Sequence, residues 1–395
     1  MTTHRVPRGS HRILLVGLIV LALLVGGVAG ALATHAGHRA EPTGSSAPTD
    51  GASSSSSSTA KVAPPALSIS SISPAAGAVG VSADSTITVR LSSPPAQSSP
   101  PPRLSPTTPG SWQVTGAAFS FRPSIPFTPL SEVTLDVPGG ASGVVAADGG
   151  HLARSVVDRF SVADGSVLRL QQLLSLLDYS PVVWTPRGAP IAATDTAEQT
   201  SALYSPPPGA FAWRNQGWPA QLRFLWQSSR YSAFTRGLVM SFQADHGLSP
   251  NGEVTPALWT ALIGALAANT VNSGGYDYAL VNKSVPQTLT IFHDGHVVLR
   301  SPVNTGIADS PTPNGTYAVY TRLRSQVMRG TNPDGQRYAD LVQYIAYFKG
   351  NDAVHYMPRA DYGIPQSLGC IELPFADAAR AWPYLAYGTL VTIIN

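Results

Sequence analysis

The pattern of apolar and polar positions cuts the chain into stretches with different periods. Residues Ile13 to Ala33 form an apolar run of 21 positions without a charge. That is long enough to span a bilayer and long for the core of a signal peptide. From Leu67 to Ala163 the pattern alternates. Ile87, Val89 and Leu91 share one face of STITVRLS, Val133, Leu135 and Val137 one face of EVTLDV, and Phe160 and Val162 one face of DRFSV. Period-two runs separated by Pro, Gly and Ser turns predict an antiparallel β-sandwich.

At Ser166 the period lengthens. Val167, Leu170, Leu173, Leu174 and Leu177 fall at helical spacing behind a serine cap. An irregular Pro-, Trp- and Ala-rich insertion, 180–230, follows. Thr235 then reads as the cap of a helix carrying Leu238, Val239 and Phe242, which Gly247 ends. Asn251-Gly252 makes a turn, and Thr255-Pro256 opens another helix with Leu258, Trp259 and Leu262.

The C-terminal stretch returns to strands. Tyr278 to Val281 and Leu289 to Phe292 alternate, and His293-Asp294-Gly295-His296 reads as a turn leading into VVLR. A helix is expected from Ala376 to Leu385, and a closing strand at Leu390 to Ile393. Two histidines on a hairpin are part of a metal site at most, and no third ligand stands near them in sequence. No metal or organic cofactor is expected.

Composition changes this picture in three ways. A chain of 395 residues has room for two or three domains, and 36 Gly, 35 Pro and only 12% charged residues favour loops and short strands. The net charge of +3 includes Arg5, Arg8 and Arg12 ahead of the apolar run. No basic stripe with interleaved aromatics supports nucleic-acid binding. The leading arginines place that end in the cytoplasm. Residues 1–12 are therefore expected as a cytoplasmic tail and 13–33 as a transmembrane anchor in the cytoplasmic membrane. Ala31-Leu32-Ala33 also suits a cleavage site, so cleaved secretion is the alternative. Either way the remainder is exported. Residues 34–66, with six serines at Ser53 to Ser58, cannot bury a core and read as a flexible linker.

The candidate chemistry centres on the single cysteine, Cys370, with His355 fifteen positions upstream. A thiol attacks as thiolate, and a neighbouring imidazole is the usual device for forming one. Gly369 lets the chain turn sharply and exposes backbone N–H groups where an oxyanion would form.

His355, fifteen positions ahead of the cysteine, and Ser367-Leu368-Gly369-Cys370-Ile371 resemble the signature of the L,D-transpeptidases, the YkuD-type catalytic domain that acts on peptidoglycan. Thr305-Gly306 and Thr312-Pro313-Asn314-Gly315 are similar to that family's TG…TPxG segment. The resemblance covers 276–395. Two positions depart from it. Leu368 stands where the family usually has His, and Glu372 where it often has Arg or Asn.

The resemblance implies a C-terminal β-rich L,D-transpeptidase catalytic domain acting on peptidoglycan stem peptides. Cys370 would attack, His355 would be the base, and the Tyr356 carbonyl would fix its tautomer. The N–H groups of Gly369 and Cys370, with Leu368 a further candidate, would hold the oxyanion, and Ser367 would support the turn. Carbapenem-type inhibitors are expected to acylate the same thiol. Residues 67–163 resemble the Ig-like modules of exported bacterial wall proteins. The ends of 166–268 resemble the small helical peptidoglycan-binding domain. The whole then reads as a multidomain protein of the cell wall. An L,D-carboxypeptidase or endopeptidase, and a wall-binding scaffold with a decayed catalytic domain, remain alternatives. Tyr344 and Tyr347 are open to a groove or a packing role, and Arg359 to a substrate carboxylate or to solvent.

Overall fold

Strands form in the first region because its apolar residues recur every second position and can fill a shared core. The computed structural model describes residues 64–395. The tail 1–12, the apolar run 13–33 and all but the last three positions of the 34–66 linker lie outside the described residues. Among the described residues no helix is long and apolar enough to cross a membrane.

Seven strands make the first region: β1 (Ile69–Ser73), β2 (Ile87–Leu91), β3 (Arg103–Ser105), β4 (Gly110–Thr115), β5 (Ala118–Pro123), β6 (Glu132–Val137) and β7 (Val156–Ser161). They pair antiparallel in two sheets, ordered β1-β2-β5-β4 and β3-β6-β7. Ile87, Val89 and Leu91 of the first sheet share one apolar core with Val133, Leu135, Val137 and Phe160 of the second.

The middle region holds α1 (Val167–Leu176), β8 (Val182–Pro186), α2 (Thr196–Ser201), β9 (Gly209–Trp213), α3 (Ala220–Leu225), α4 (Ala233–Asp245) and α5 (Pro256–Ala267). Ser166 and Thr255 cap α1 and α5 as their sequences predict, accepting from the N–H groups of Arg169 and Leu258. Two expectations are corrected. The cap of α4 is Ser232, and Thr235 lies inside the helix, fully buried, where its hydroxyl accepts from Gln171 Nε2 at 3.0 Å. The 180–230 insertion is ordered: β8 and β9 pair antiparallel, and α2 and α3 flank the second strand of that hairpin.

The last region contains β10 (Asp277–Asn282), β11 (Thr288–His293), β12 (His296–Pro302), β13 (Gly315–Ala318), β14 (Thr321–Thr331), β15 (Arg337–Lys349), β16 (Asp352–Tyr356), β17 (Ile371–Leu373), α6 (Phe375–Ala381) and β18 (Leu390–Ile394). One sheet runs β12-β11-β10-β18-β13 and the other β14-β15-β16-β17. A core of Val281, Ile291, Ala346, Val354, Ile371 and Val391 joins them. The β11–β12 turn has positive φ at Asp294 and Gly295, the signature of a tight two-residue hairpin.

The middle and last regions do not keep separate cores. Leu170, Phe234 and Trp259 of the helices pack in one cluster with Tyr276, Tyr278, Phe292 and Leu390. Backbones meet where α4 crosses the turn before β18. A Cβ at Gly237 would lie 2.6 Å from the Gly388 oxygen, so neither position has room for a side chain. The β12-β11-β10-β18-β13 sheet thus shares its core with the helices.

Candidate active site

The site is built on the parallel pairing of β16 and β17, which sets His355 opposite Glu372 and Val354 opposite Ile371. Cys370 immediately precedes β17. His355 and Cys370 therefore sit on adjoining strands and line one cavity of about 420 Å³, together with Tyr338, Met357, Arg359 and Leu368. A larger cavity of about 940 Å³, between α4 and the 383–389 turn, contains neither of them.

His355 is 3% exposed. Its Nδ1 lies 2.9 Å from the Tyr356 carbonyl oxygen. A carbonyl can only accept, so Nδ1 carries the hydrogen and Nε2 is left with its lone pair. Burial pushes the imidazole pKa down, against the opposing pulls of the Tyr356 carbonyl and the Glu372 carboxylate. The ring is thus held neutral, ready to receive a proton.

The thiol is pushed the other way. Burial, with the Asp352 and Glu372 carboxylates adding to it, raises Cys370 to about 12, although the Ala353 backbone N–H works against this. Its Sγ contacts the Asn351 carbonyl at 3.8 Å, and among the described residues no hydrogen bond joins it to His355. The resting pair is therefore thiol and neutral imidazole rather than a thiolate–imidazolium ion pair. Proton transfer must accompany attack.

The nucleophile turn is held from several sides. Ser367, 1% exposed, donates from Oγ to the Cys370 carbonyl at 2.6 Å and accepts the Gly369 N–H at 3.2 Å. Gly369 has φ +119°, and a Cβ there would lie 2.3 Å from Asp352 Oδ1, so conformation and space both demand glycine. Its N–H, expected as an oxyanion donor, is turned to Ser367 in this state.

Sequence reasoning missed what the TG…TPxG segment does. Thr312 Oγ1 accepts the Gly306 N–H and donates to the Gly369 carbonyl, both at 2.8 Å. Ser310 Oγ donates to the Leu368 carbonyl at 3.0 Å. Asn304, fully buried, exchanges backbone hydrogen bonds with Glu372 and accepts the Gly363 N–H on its side chain. The motif was visible in sequence, but its bonds depend on a register set some 57 residues away.

The remaining candidates are placed as follows. Leu368 lines the cavity. Tyr344 packs edge-on against Phe375 and Trp382. The Tyr347 hydroxyl donates to Gln326 at 2.8 Å. Arg359 grips both oxygens of Glu372. His293 is held through Nδ1 by Asp277 at 2.8 Å, and among the described residues no group of His, Cys, Asp and Glu is placed to hold a metal ion.

Comparison with known proteins agrees with the geometry. Residues 276–393 match the family model of the L,D-transpeptidase catalytic domain, YkuD, whose members are acyltransferases with a cysteine nucleophile. No curated protein matches the chain. Among solved structures, an L,D-transpeptidase from Mycobacterium smegmatis is 14% identical, covering 84% of this chain and 100% of its own, with a TM-score of 0.29. A faropenem-derived adduct of Mycobacterium tuberculosis L,D-transpeptidase 3 is 14% identical over 83% of this chain and 98% of its own, with a TM-score of 0.28. The E. faecium catalytic domain acylated by ertapenem is 24% identical over 31% of this chain and 100% of its own, with a TM-score of 0.28. Likenesses this distant carry no residue correspondences.

Proposed function

We propose that the YkuD-type domain cross-links peptidoglycan by L,D-transpeptidation through Cys370. The observation that carries this is the neutral, tautomer-fixed His355 sharing a cavity with the chain's single thiol. Sγ attacks the carbonyl at the L-centre of the third stem residue while its proton passes to His355 Nε2. The resulting oxyanion takes the Cys370 N–H and draws the Gly369 N–H from Ser367. A 3.2 Å bond to a neutral hydroxyl is easily outcompeted by a charged acceptor. Collapse breaks the peptide bond, and the imidazolium returns the proton to the departing D-amino acid's nitrogen. A side-chain amine of a second stem then attacks the thioester, loses its proton to His355 and releases the thiol. A positioned base contributes roughly 10²–10⁴ in rate and an oxyanion donor roughly 10²–10³. A carbapenem presents a strained acyl carbonyl to the same thiol and is proposed to acylate it.

The rest of the chain is read as delivery. Residues 13–33 anchor it to the outer face of the membrane and 34–66 give reach. The Ig-like region 67–163 acts as a spacer, and 166–268 contacts peptidoglycan. The support is the uncharged apolar run behind three arginines and the likeness of the two modules to wall-protein domains.

The test uses residues 62–395, which form one compact unit. The protein is incubated with disaccharide-tetrapeptide and the products are read by mass spectrometry. Cross-linked dimer is expected. Tripeptide alone would make the enzyme a hydrolase, and unchanged substrate would sink the enzymatic reading.

A further inference from the structure

Val354 and Ile371 lie in the apolar core, so the alternation of a strand turns their neighbours His355 and Glu372 to the other face. There the two are paired in parallel register and line the same cavity. Both are buried. A carboxylate in such a place needs a partner. Arg359 supplies it, with Nε and Nη2 at 2.8 and 2.7 Å from the two carboxylate oxygens. That clamp fixes the plane of the carboxylate. The Glu372 backbone is pinned as well, exchanging hydrogen bonds with the fully buried Asn304.

The hydrogen bond that orients the base does not solve its electrostatic problem. When the Sγ proton arrives at Nε2, a full positive charge forms on a ring with almost no access to water. The Tyr356 carbonyl, 2.9 Å from Nδ1, is a dipole and not a counter-charge. Of the charged groups that act on the ring, Glu372 favours its protonated form and Arg359 opposes it. The two do not cancel. The Arg359 side chain is 29% exposed and that of Glu372 only 5%, so solvent screens the cation more than the anion. The other ionisable groups of the cavity are Cys370 itself, Tyr338 and Asp340, both on β15, and Asp334 in the β14–β15 turn. Asp352, at the start of β16, lies against Gly369.

We propose that Glu372 is a positioning residue for the base: it is the buried counter-charge for the imidazolium that forms when the thiol's proton passes to His355 Nε2. Arg359 holds that carboxylate in place and limits its pull. This rests on the transpeptidase reading above and adds the group that stabilises the transferred proton in a dry site. The departure at position 372 thereby has a chemical role, since an amide side chain there would offer a dipole and no charge.

The test reads the ionisation of His355 directly. Residues 62–395, isotope-labelled at histidine, are titrated by NMR, the His355 signal being the one lost in His355→Ala. Acylation by a carbapenem is followed by intact mass over the same pH range. In Glu372→Gln the midpoint of the ring is expected to fall by about one pH unit, the low end of what a neighbouring charge does. Acylation above the midpoint should slow by about three- to tenfold, since a weaker base takes the thiol's proton less readily. In Arg359→Gln the midpoint should rise, because the carboxylate then acts unopposed. Arg359→Lys keeps the charge and should hold the midpoint near its wild-type position. Arg359→Gln/Glu372→Gln should lie between the two single variants. Arg359→Gln strands a buried carboxylate; where it does not fold, Glu372→Gln and the double variant decide the matter, the double lying higher. A midpoint that stays in place in Glu372→Gln, or that moves the same way in both single variants, would overturn the inference and leave the transpeptidase reading intact. A wild type that gains no carbapenem adduct would sink both.

Discussion

His355 Nδ1 and the carbonyl oxygen of its own neighbour Tyr356 lie 2.9 Å apart, which leaves Nε2 as the basic nitrogen. Burial lowers this imidazole's pKa. Its neutral form therefore persists to lower pH than the ordinary value of about 6.5. The acylation rate should rise with pH along a limb centred below that value and stay high through neutrality, because the thiol itself titrates only at about 12. His355→Ala should cost at least about a hundredfold and remove the limb. A pH–rate profile of both proteins decides it, and a limb that survives the substitution would rule out this histidine as the base.

Leu368→His should change the acylation rate by less than about tenfold, well short of the roughly 10²–10⁴ that a general base contributes. The Leu368 carbonyl is held by Ser310, and its side chain only lines the cavity. A silent wild type rescued by this change would favour a decayed scaffold.

Thr312→Val should destabilise the protein by about 1–3 kcal/mol, because it leaves the Gly306 N–H and the Gly369 carbonyl without their shared hydroxyl. Acylation should slow as well, since the nucleophile turn loses an anchor, whereas Thr312→Ser should recover most of both. Chemical denaturation and single-turnover rates on the three proteins test this. An unchanged valine variant would remove Thr312 from the site's support.

Asp277, at the start of β10 in the other sheet of the last region, gives a stability signature. Burial raises its pKa to about 6, beyond what its bond to His293 offsets. The unfolded value is about 3.9, so the folded state disfavours the ionised form. The penalty is absent below about pH 4 and grows as pH rises through 6. Asp277→Asn should therefore raise Tm at pH 8 and leave it nearly unchanged at pH 4. The reverse order would show that the His293 bond dominates instead.

Much of this was legible in the chain because it rests on local pattern. The alternation at Ile87, Val89 and Leu91 marks the face that is buried, and Thr255-Pro256 opens α5. Cys370, His355 and Gly369 announce themselves by residue type and spacing. What sequence hid depends on distant register. Ser232 and Thr235 are equally good caps by type, and only the approach of Gln171 from α1 draws Thr235 into the interior. The Pro-rich composition of 180–230 masked the β8–β9 hairpin, whose pairing spans Val182 to Trp213. The grip of Arg359 on Glu372 follows from the parallel β16–β17 register, which no local pattern displays. The thiol's raised pKa likewise comes from burial and from Asp352, which only the folded chain brings beside it.

The central claim, catalysis through one thiol, is tested most directly by intact-mass analysis of residues 62–395 mixed with a stem tetrapeptide or a carbapenem. Wild-type protein should gain one acyl adduct per chain, mapped to Cys370, and Cys370→Ala should gain none while keeping its fold by circular dichroism. An adduct that persists in the alanine variant, or a wild type that stays unmodified with both reagents, would contradict it.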